Sequence, residues 1–250
     1  MPRFFVQTDQ IEDGIVTVRG DDAHHISRAL RMAVGDRITV CDTNAVEYEC
    51  ELTDFLPDRV LARVCSSATS AVESPAFLTL YQALPKGDKL DTVIQKAVEC
   101  GVSRIQPFES ERCVVRAKAD SEARKTERRT RIAQEAAKQC GRALLPVVES
   151  TCSFDDVLKD AAKHDLVLFC YEGEGTQPVG ALLATKDARR AQSIAVVIGS
   201  EGGFSASEAQ RAKEAGFAMT GLGRRILRTE TASGFVLACI SCVLELGALE

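Results

Sequence analysis

From Phe77 onward, short apolar runs alternate with segments whose apolar residues recur at helical spacing, and no other feature limits the fold as tightly. FLTLYQAL reads as a strand, and KLDTVIQKAVEC then carries Leu90, Val93, Ile94, Ala97 and Val98 on one helical face. RIQPF reads as a strand, residues 120–140 as a long basic helix, and LLPVV follows. FDDVLKDAAK is a helix pattern, LVLFCY a strand, SIAVVIG a buried strand and SASEAQRAKEAG a helix. TASGFVLACISCVLEL closes the chain as a helix that is apolar on most sides. Short strands bounded by helices predict an α/β fold with a parallel sheet covered on both faces.

The first seventy residues follow another rhythm. GIVTVRG, DRITVCD, AVEYECELTDF and RVLARVCS read as strands separated by Gly, Asp, Asn and Pro. One short helix, DDAHHISRALRM, interrupts them, with Asp21 or Asp22 as its N-cap. SSATSAVESPA (66–76) is small, polar and ends at a proline, which reads as a linker. The expected division is therefore residues 1–70 and 77–250.

Composition narrows the function classes. The 250 residues are 45% apolar and 27% charged, which predicts packed cores rather than disorder. MPRFFVQTDQ lacks the apolar run of a secretory signal and no stretch approaches membrane-spanning length, so a cytoplasmic protein without a membrane partner is expected. Ten cysteines scatter without a paired rhythm and read as small buried hydrophobes. Cys239 and Cys242 form the one CxxC, inside an apolar run with no second pair or nearby His, so no metal site is expected. The net charge of −5 is uneven: Arg112 to Arg142 holds ten Lys/Arg against four Asp/Glu. On charge alone that stretch reads as a solvated, salt-bridged helix face, and it suggests RNA only if another feature does.

Two segments carry the chemistry. In AVVIGSEGGFSASEAQ (195–210) an apolar strand ends in a glycine-rich turn and a helix follows, its start set by a Ser205/Glu208 capping box. Glycines at 199, 202 and 203 let main chain approach a ligand, and ligands of open parallel sheets bind beyond the carboxyl ends of strands. The spacing is not GxGxxG and no phosphate-loop Lys-Ser/Thr is present, which disfavours a dinucleotide or nucleoside triphosphate. In GLGRRILRTETAS (221–233) two glycines and three arginines precede Thr229, Glu230 and Thr231, with Thr229 or Thr231 as helix cap. Two such loops after separate strands form opposite walls of one pocket.

IGSEGGFSASE together with LGRRILRTETA resembles the cofactor-binding loops of the RsmE-type ribosomal RNA uridine-N3 methyltransferases of the SPOUT superfamily. The resemblance runs along nearly the whole chain, through MPRFFV, HHISRALRMAVGD, LPKGDKLDTVIQKAVECGVSRIQPFESER and RIAQEAAKQCGRALLPVV. Two positions depart from the family pattern: Ser200 replaces the proline of G-P-E-G-G, which frees a φ angle, and Cys100 replaces the leucine of E-L-G.

The resemblance implies an N-terminal PUA-like β-barrel joined to an α/β methyltransferase domain tied in a trefoil knot, and a homodimer. It implies that S-adenosylmethionine is held by Gly199, Ser200, Glu201, Gly202, Gly203, Leu222, Gly223, Ile226, Leu227, Arg228 and Thr229, with Glu172 from the end of another strand. Methylation of uridine N3 requires loss of its proton, which spreads negative charge onto O2 and O4. Arg228 is the expected catalytic cation, and Glu230 either accepts the proton or pairs with Arg225 or Arg228. Arg28 and Arg31 in the barrel and Arg124, Lys125, Arg128 and Arg129 in the basic helix are the expected RNA contacts. The rival readings are a non-catalytic ribosome-assembly protein, a different α/β nucleotide-binding enzyme, and a transfer RNA methyltransferase of the same superfamily.

Overall fold

The computed structural model describes residues 1–117 and 119–247, so Lys118 of the basic stretch lies outside the described residues. The chain divides into two compact units, Met1–Glu73 with Ala137–Leu145, and Ser74–Ala136 with Pro146–Glu250. Residues 137–145, expected wholly in the second unit, belong to the first.

The first unit holds β1 (Arg3–Phe5), β2 (Ile11–Glu12), β3 (Ile15–Arg19), β4 (Arg37–Cys41), β5 (Val46–Phe55) and β6 (Arg59–Thr69). They form one sheet in the order β1-β4-β5-β6-β3-β2, antiparallel except where β1 lies parallel to β4. Strand alternation turns Val16 and Val18, Ile38 and Val40, Cys50 and Leu52, and Val60 and Ala62 onto one face. Ala23 and Ile26 pack on the same core from α1 (Gly20–His24) and the π-helical turn His25–Ala29 that prolongs it.

The helix starts at Gly20 with Arg19 at the N-cap, so Asp21 and Asp22 sit in its first turn, where a carboxylate favours the positive helix end without capping it. Asp22 Oδ1 accepts from Lys138 at 2.8 Å. The expected linker also begins too early. β6 continues to Thr69 because β5 offers it a ladder as far as Val46, and Glu73 accepts hydrogen bonds from Arg142 and the backbone N–H groups of Ala143 and Leu144.

The second unit contains β7 (Phe77–Ala83), α2 (Lys89–Glu99), β8 (Arg104–Glu109), α3 (Ala119–Cys140), β9 (Val147–Val148), β10 (Cys152–Ser153) and α4 (Phe154–Ala161). Then come β11 (Leu166–Cys170), β12 (Gln177–Pro178), α5 (Val179–Leu183), α6 (Lys186–Arg190), β13 (Ser193–Ile198), α7 (Ala206–Glu214), β14 (Ala218–Gly221) and α8 (Thr229–Leu244). The sheet order is β10-β8-β7-β13-β11-β14-β12, with β9 also on β8, and every ladder is parallel. Leu78 to Ala83 and Ile194 to Ile198 are buried without a break. Successive strand residues point to opposite sides, so both faces of the central sheet are covered.

The predicted face of α2 is buried at all five positions, Leu90, Val93, Ile94, Ala97 and Val98, and α2 packs on α8. The short β10, β12, β14, α5 and α6 escaped the sequence reading. The cysteines are all free, but only Cys41, Cys50 and Cys113 are buried, while Cys65 and Cys140 are exposed. Cys65 lies where β6 outruns the core beneath it. Cys239 and Cys242 are half-buried on α8. Among the described residues no helix is long and apolar enough to cross a membrane.

Candidate active site

Because the ladders are parallel, the turns after β11, β13 and β14 all leave the sheet at one edge. They enclose a cavity of about 730 Å³, within the range of small-molecule sites. Cys170–Gly173 and Thr176 form one wall, Ile198–Phe204 a second, and Gly221–Thr229 a third, with Lys89 and Arg112 reaching in from α2 and from the loop after β8.

The turn after β13 is built for close backbone approach. Gly203 N–H donates to the Ser200 carbonyl at 2.9 Å, and Gly203 has φ +62°, a left-handed shape costly for other residues. A Cβ on Gly199 would lie 3.0 Å from Gly203 Cα. Phe204 anchors the turn: it is buried and its ring centroid lies 4.2 Å from that of Phe169, with Phe108 and Phe154 completing the cluster. The expected capping box is formed. Ser205 Oγ accepts from Glu208 N–H at 3.2 Å and Glu208 Oε2 accepts from Ser205 N–H at 2.9 Å. The second carboxylate oxygen accepts from Glu111 N–H at 2.7 Å, which ties the loop after β8 to this helix start.

Thr229 is where the structure departs most from its expected part. It is the first residue of α8, with Arg228 at the N-cap and no side-chain cap. Its hydroxyl instead donates to the Gly199 carbonyl at 2.6 Å and accepts from Gln82 Nε2 at 2.9 Å. Gln82 is fully buried at the end of β7, so this bond locks the two glycine-rich loops to the sheet.

All twelve expected cofactor contacts line the cavity. Leu222 and Leu227 are half-buried there, while Ile226 is 81% exposed at the mouth. Glu201 is engaged by α2: its carboxylate accepts from Lys89 Nζ at 2.8 Å and from Lys86 N–H at 3.1 Å. Burial alone would raise the Glu201 carboxyl, but Lys89 and the backbone donors outweigh it and hold it below the usual carboxylate range. The Lys89 ammonium, hydrogen-bonded to Glu201, is raised in turn.

Arg228 is exposed at the mouth. Glu230 is not part of the cavity wall; its Oε2 lies 3.7 Å from Lys89 and has no hydrogen-bond partner. The expected pairing with Arg225 or Arg228 is thus replaced by Lys89, because the α8 start turns Glu230 toward α2. Lys89, Arg112, Arg224 and Arg225 were not predicted as wall residues.

The expected RNA contacts divide. Arg28, Arg31 and Arg124 are exposed and Lys125 is half-buried. Arg129 is buried at 6% exposure, donating to Glu122 at 3.0 Å and Thr151 at 3.4 Å. It braces α3 against the start of β10, so it does not face a phosphate. Arg128 is exposed but bidentate to Asp91.

A parallel α/β unit with a ligand cavity at its strand ends follows a small β unit, and the family models that match this arrangement give its class as RNA methyltransferase. The RNA methyltransferase domain model matches residues 72–241 and the RNA methyltransferase PUA domain model matches 18–65. The chain belongs to the ribosomal RNA small subunit methyltransferase E family. It is 36% identical to the Bacillus subtilis member over 98% of both chains, and 32% identical to that of Synechocystis over 97% of this chain and 78% of the relative. The crystal structure of the Neisseria gonorrhoeae enzyme bound to S-adenosylmethionine superposes with a TM-score of 0.84, at 30% identity over 97% of this chain and 98% of that one. A Legionella pneumophila methyltransferase, also solved with S-adenosylmethionine, gives 0.85 at 27% identity over 96% and 97%.

Proposed function

We propose that this chain transfers a methyl group from S-adenosylmethionine to N3 of a uridine in small-subunit (16S) ribosomal RNA. The observation that carries the reading is the cavity itself, where two glycine-rich loops locked by Thr229 meet an exposed Arg228. The lining fits the cofactor. A Cβ at Gly199 would meet backbone, so main chain is already close-packed there, and the half-buried Leu222 and Leu227 suit a purine face. Glu172 and Glu201 supply carboxylates on the walls after β11 and β13.

S-adenosylmethionine supplies an electrophilic methyl group on a sulfonium. The residues proposed to hold it are Glu172, Gly199, Ser200, Glu201, Gly202, Gly203, Leu222, Gly223, Ile226, Leu227, Arg228 and Thr229. Arg228 stabilises the charge that develops on O2 and O4 as N3 loses its proton. Glu230 acts from behind Lys89, so it accepts that proton through water or through rearrangement at Lys89 rather than from the cavity wall. N3 lies on the Watson–Crick edge, so the target base enters unpaired.

Residues 1–70 serve as a PUA-like RNA-binding domain and 77–250 as the catalytic domain, with the trefoil knot of the family formed by the loops around the cavity. Arg28, Arg31, Arg124 and Lys125 contact the RNA backbone. The protein works in the cytoplasm as a homodimer, joined through the outer face of α8, where Phe235 is 40% exposed and Ala238 is exposed beside it.

The test is methylation of small-subunit RNA from cells lacking this protein, read by mass and position after adding protein and S-adenosylmethionine. One methyl at a uridine N3 is expected, with the rate reduced about 100-fold in Arg228→Ala. Methylation of transfer RNA alone would move the substrate, and full activity in Arg228→Ala would remove the role given to Arg228.

A further inference from the structure

A cation grips a phosphate well only when no carboxylate already holds it, since an engaged arginine must first give up its partner. By that measure three arginines of the most basic segment are poor phosphate ligands. On α3, Arg128 is bidentate to Asp91, Arg129 is buried against Glu122, and Arg131 donates to Glu127 at 2.7 Å.

The cavity mouth differs. Arg224 and Arg225 follow Gly223, which has φ +109°, and both are exposed on the cavity wall. Among the described residues neither has a hydrogen-bond or ion-pair partner. Arg112, on another wall, is exposed and donates to the Gly202 carbonyl at 3.0 Å. A neutral carbonyl orients the guanidinium and leaves its charge uncompensated, and no ion pair of Arg112 occurs among the described residues. Ile226, 81% exposed, sits beside these arginines as an apolar surface facing outward.

We infer that Arg112, Arg224 and Arg225 form a phosphate clamp at the cavity mouth for single-stranded RNA. The inference rests on RNA being the substrate and adds where its backbone is held. A nucleotide whose base enters the cavity leaves its flanking phosphates at the mouth. There they meet cations on two walls. Such contacts position the strand and carry little sequence information. Base selection then belongs to the cavity interior, and the clamp sets affinity and orientation. Because Arg112 also braces Gly202, strand binding and the shape of the glycine-rich turn are mechanically linked.

The experiment measures binding of a short single-stranded RNA with a central uridine by fluorescence anisotropy over a range of salt, with calorimetry of S-adenosylmethionine binding alongside. The variants are Arg224→Gln/Arg225→Gln, Arg112→Gln, and Arg128→Gln as a comparison on α3. Each phosphate contact on a single strand contributes about 0.7 to the slope of log affinity against log salt, so the double variant lowers it by about 1.4 and Arg112→Gln by about 0.7. Cofactor affinity is unchanged in the double variant, and Arg128→Gln keeps the full slope. An unchanged slope in both mouth variants, or an equal loss in Arg128→Gln, overturns the clamp. Because the readout is binding, it is independent of turnover. If the wild-type protein methylates no uridine yet the slopes fall as expected, the clamp stands and the methyl-transfer reading fails.

Discussion

The hydroxyl of Thr229 donates to the carbonyl of Gly199 at 2.6 Å, joining the start of α8 to the glycine-rich turn 30 residues earlier. The same oxygen accepts from Gln82, a further 117 residues back; Gln82 and Thr229 are buried and Gly199 is half-buried. Thr229→Val keeps the shape and removes the hydroxyl, leaving Gln82 Nε2 only its bonds to the Ala83 carbonyl at 3.0 Å and the Gly199 carbonyl at 3.4 Å, at a cost of about 1 kcal/mol. Thermal unfolding will show the loss of stability and calorimetry a weakened cofactor site, whereas Thr229→Ser will retain most of both.

Gly203→Ala places a side chain at φ +62°, which costs about 1–2 kcal/mol. If that strain falls on the ligand-ready turn, S-adenosylmethionine binding weakens by about 5- to 30-fold. Gly199→Ala is worse, because its Cβ would meet Gly203 Cα at 3.0 Å and backbone must move. Calorimetric titration of the two variants will give that order, and the reverse order would mean that the turn shape is not what binds.

Glu208 is buried and accepts from two backbone N–H groups on different segments, Ser205 and Glu111. In Glu208→Gln one oxygen becomes an amide NH2 facing an N–H, so a donor is left without an acceptor at about 1–3 kcal/mol. Urea unfolding will show a lower midpoint. Hydrogen exchange at Glu111 will accelerate, because the loop after β8 loses its tie to α7.

Acid stability should depend on Asp160. Burial by itself would raise this carboxyl, but the Tyr81 hydroxyl at 2.7 Å, Lys163 and Arg104 outweigh it and hold it down to about 2. A carboxylate with a folded pKa below its unfolded value contributes stability that is complete above about pH 4 and is lost as pH falls toward about 2. Stability measured across that window will decline in the wild type, and the decline will be shallower in Asp160→Asn.

The dimer reading predicts that Phe235→Lys, on the outer face of α8, yields a monomer by light scattering with helix content retained. Phe235 is 40% exposed, so the change leaves the core residues Val236, Leu237 and Ile240 in place. A variant that stays dimeric would move the interface elsewhere.

Much of the architecture was legible in local pattern. The periods of α2 and α7 and the runs of β7 and β13 follow from residues close in sequence, and the Ser205/Glu208 box is a four-residue code. The two glycine-rich loops could likewise be placed beyond strand ends, because a strand–turn–helix sequence leaves few other positions for them. What local pattern could not supply is which distant group each polar side chain meets. Thr229 has the composition of a helix cap, yet Gln82 and Gly199 outcompete its own backbone. Arg129 belongs to a basic run, yet Glu122 and Thr151 draw it inside. Glu230 faces Lys89 rather than the neighbouring arginines, since the α8 start sets its direction. β14 is only four residues long and is a strand because β11 and β12 flank it. By itself the sequence determined element types, the two loops and the resemblance they carry. The tertiary structure decided which charges are engaged and which are free, because hydrogen bonds and ion pairs depend on distances that no local spacing encodes.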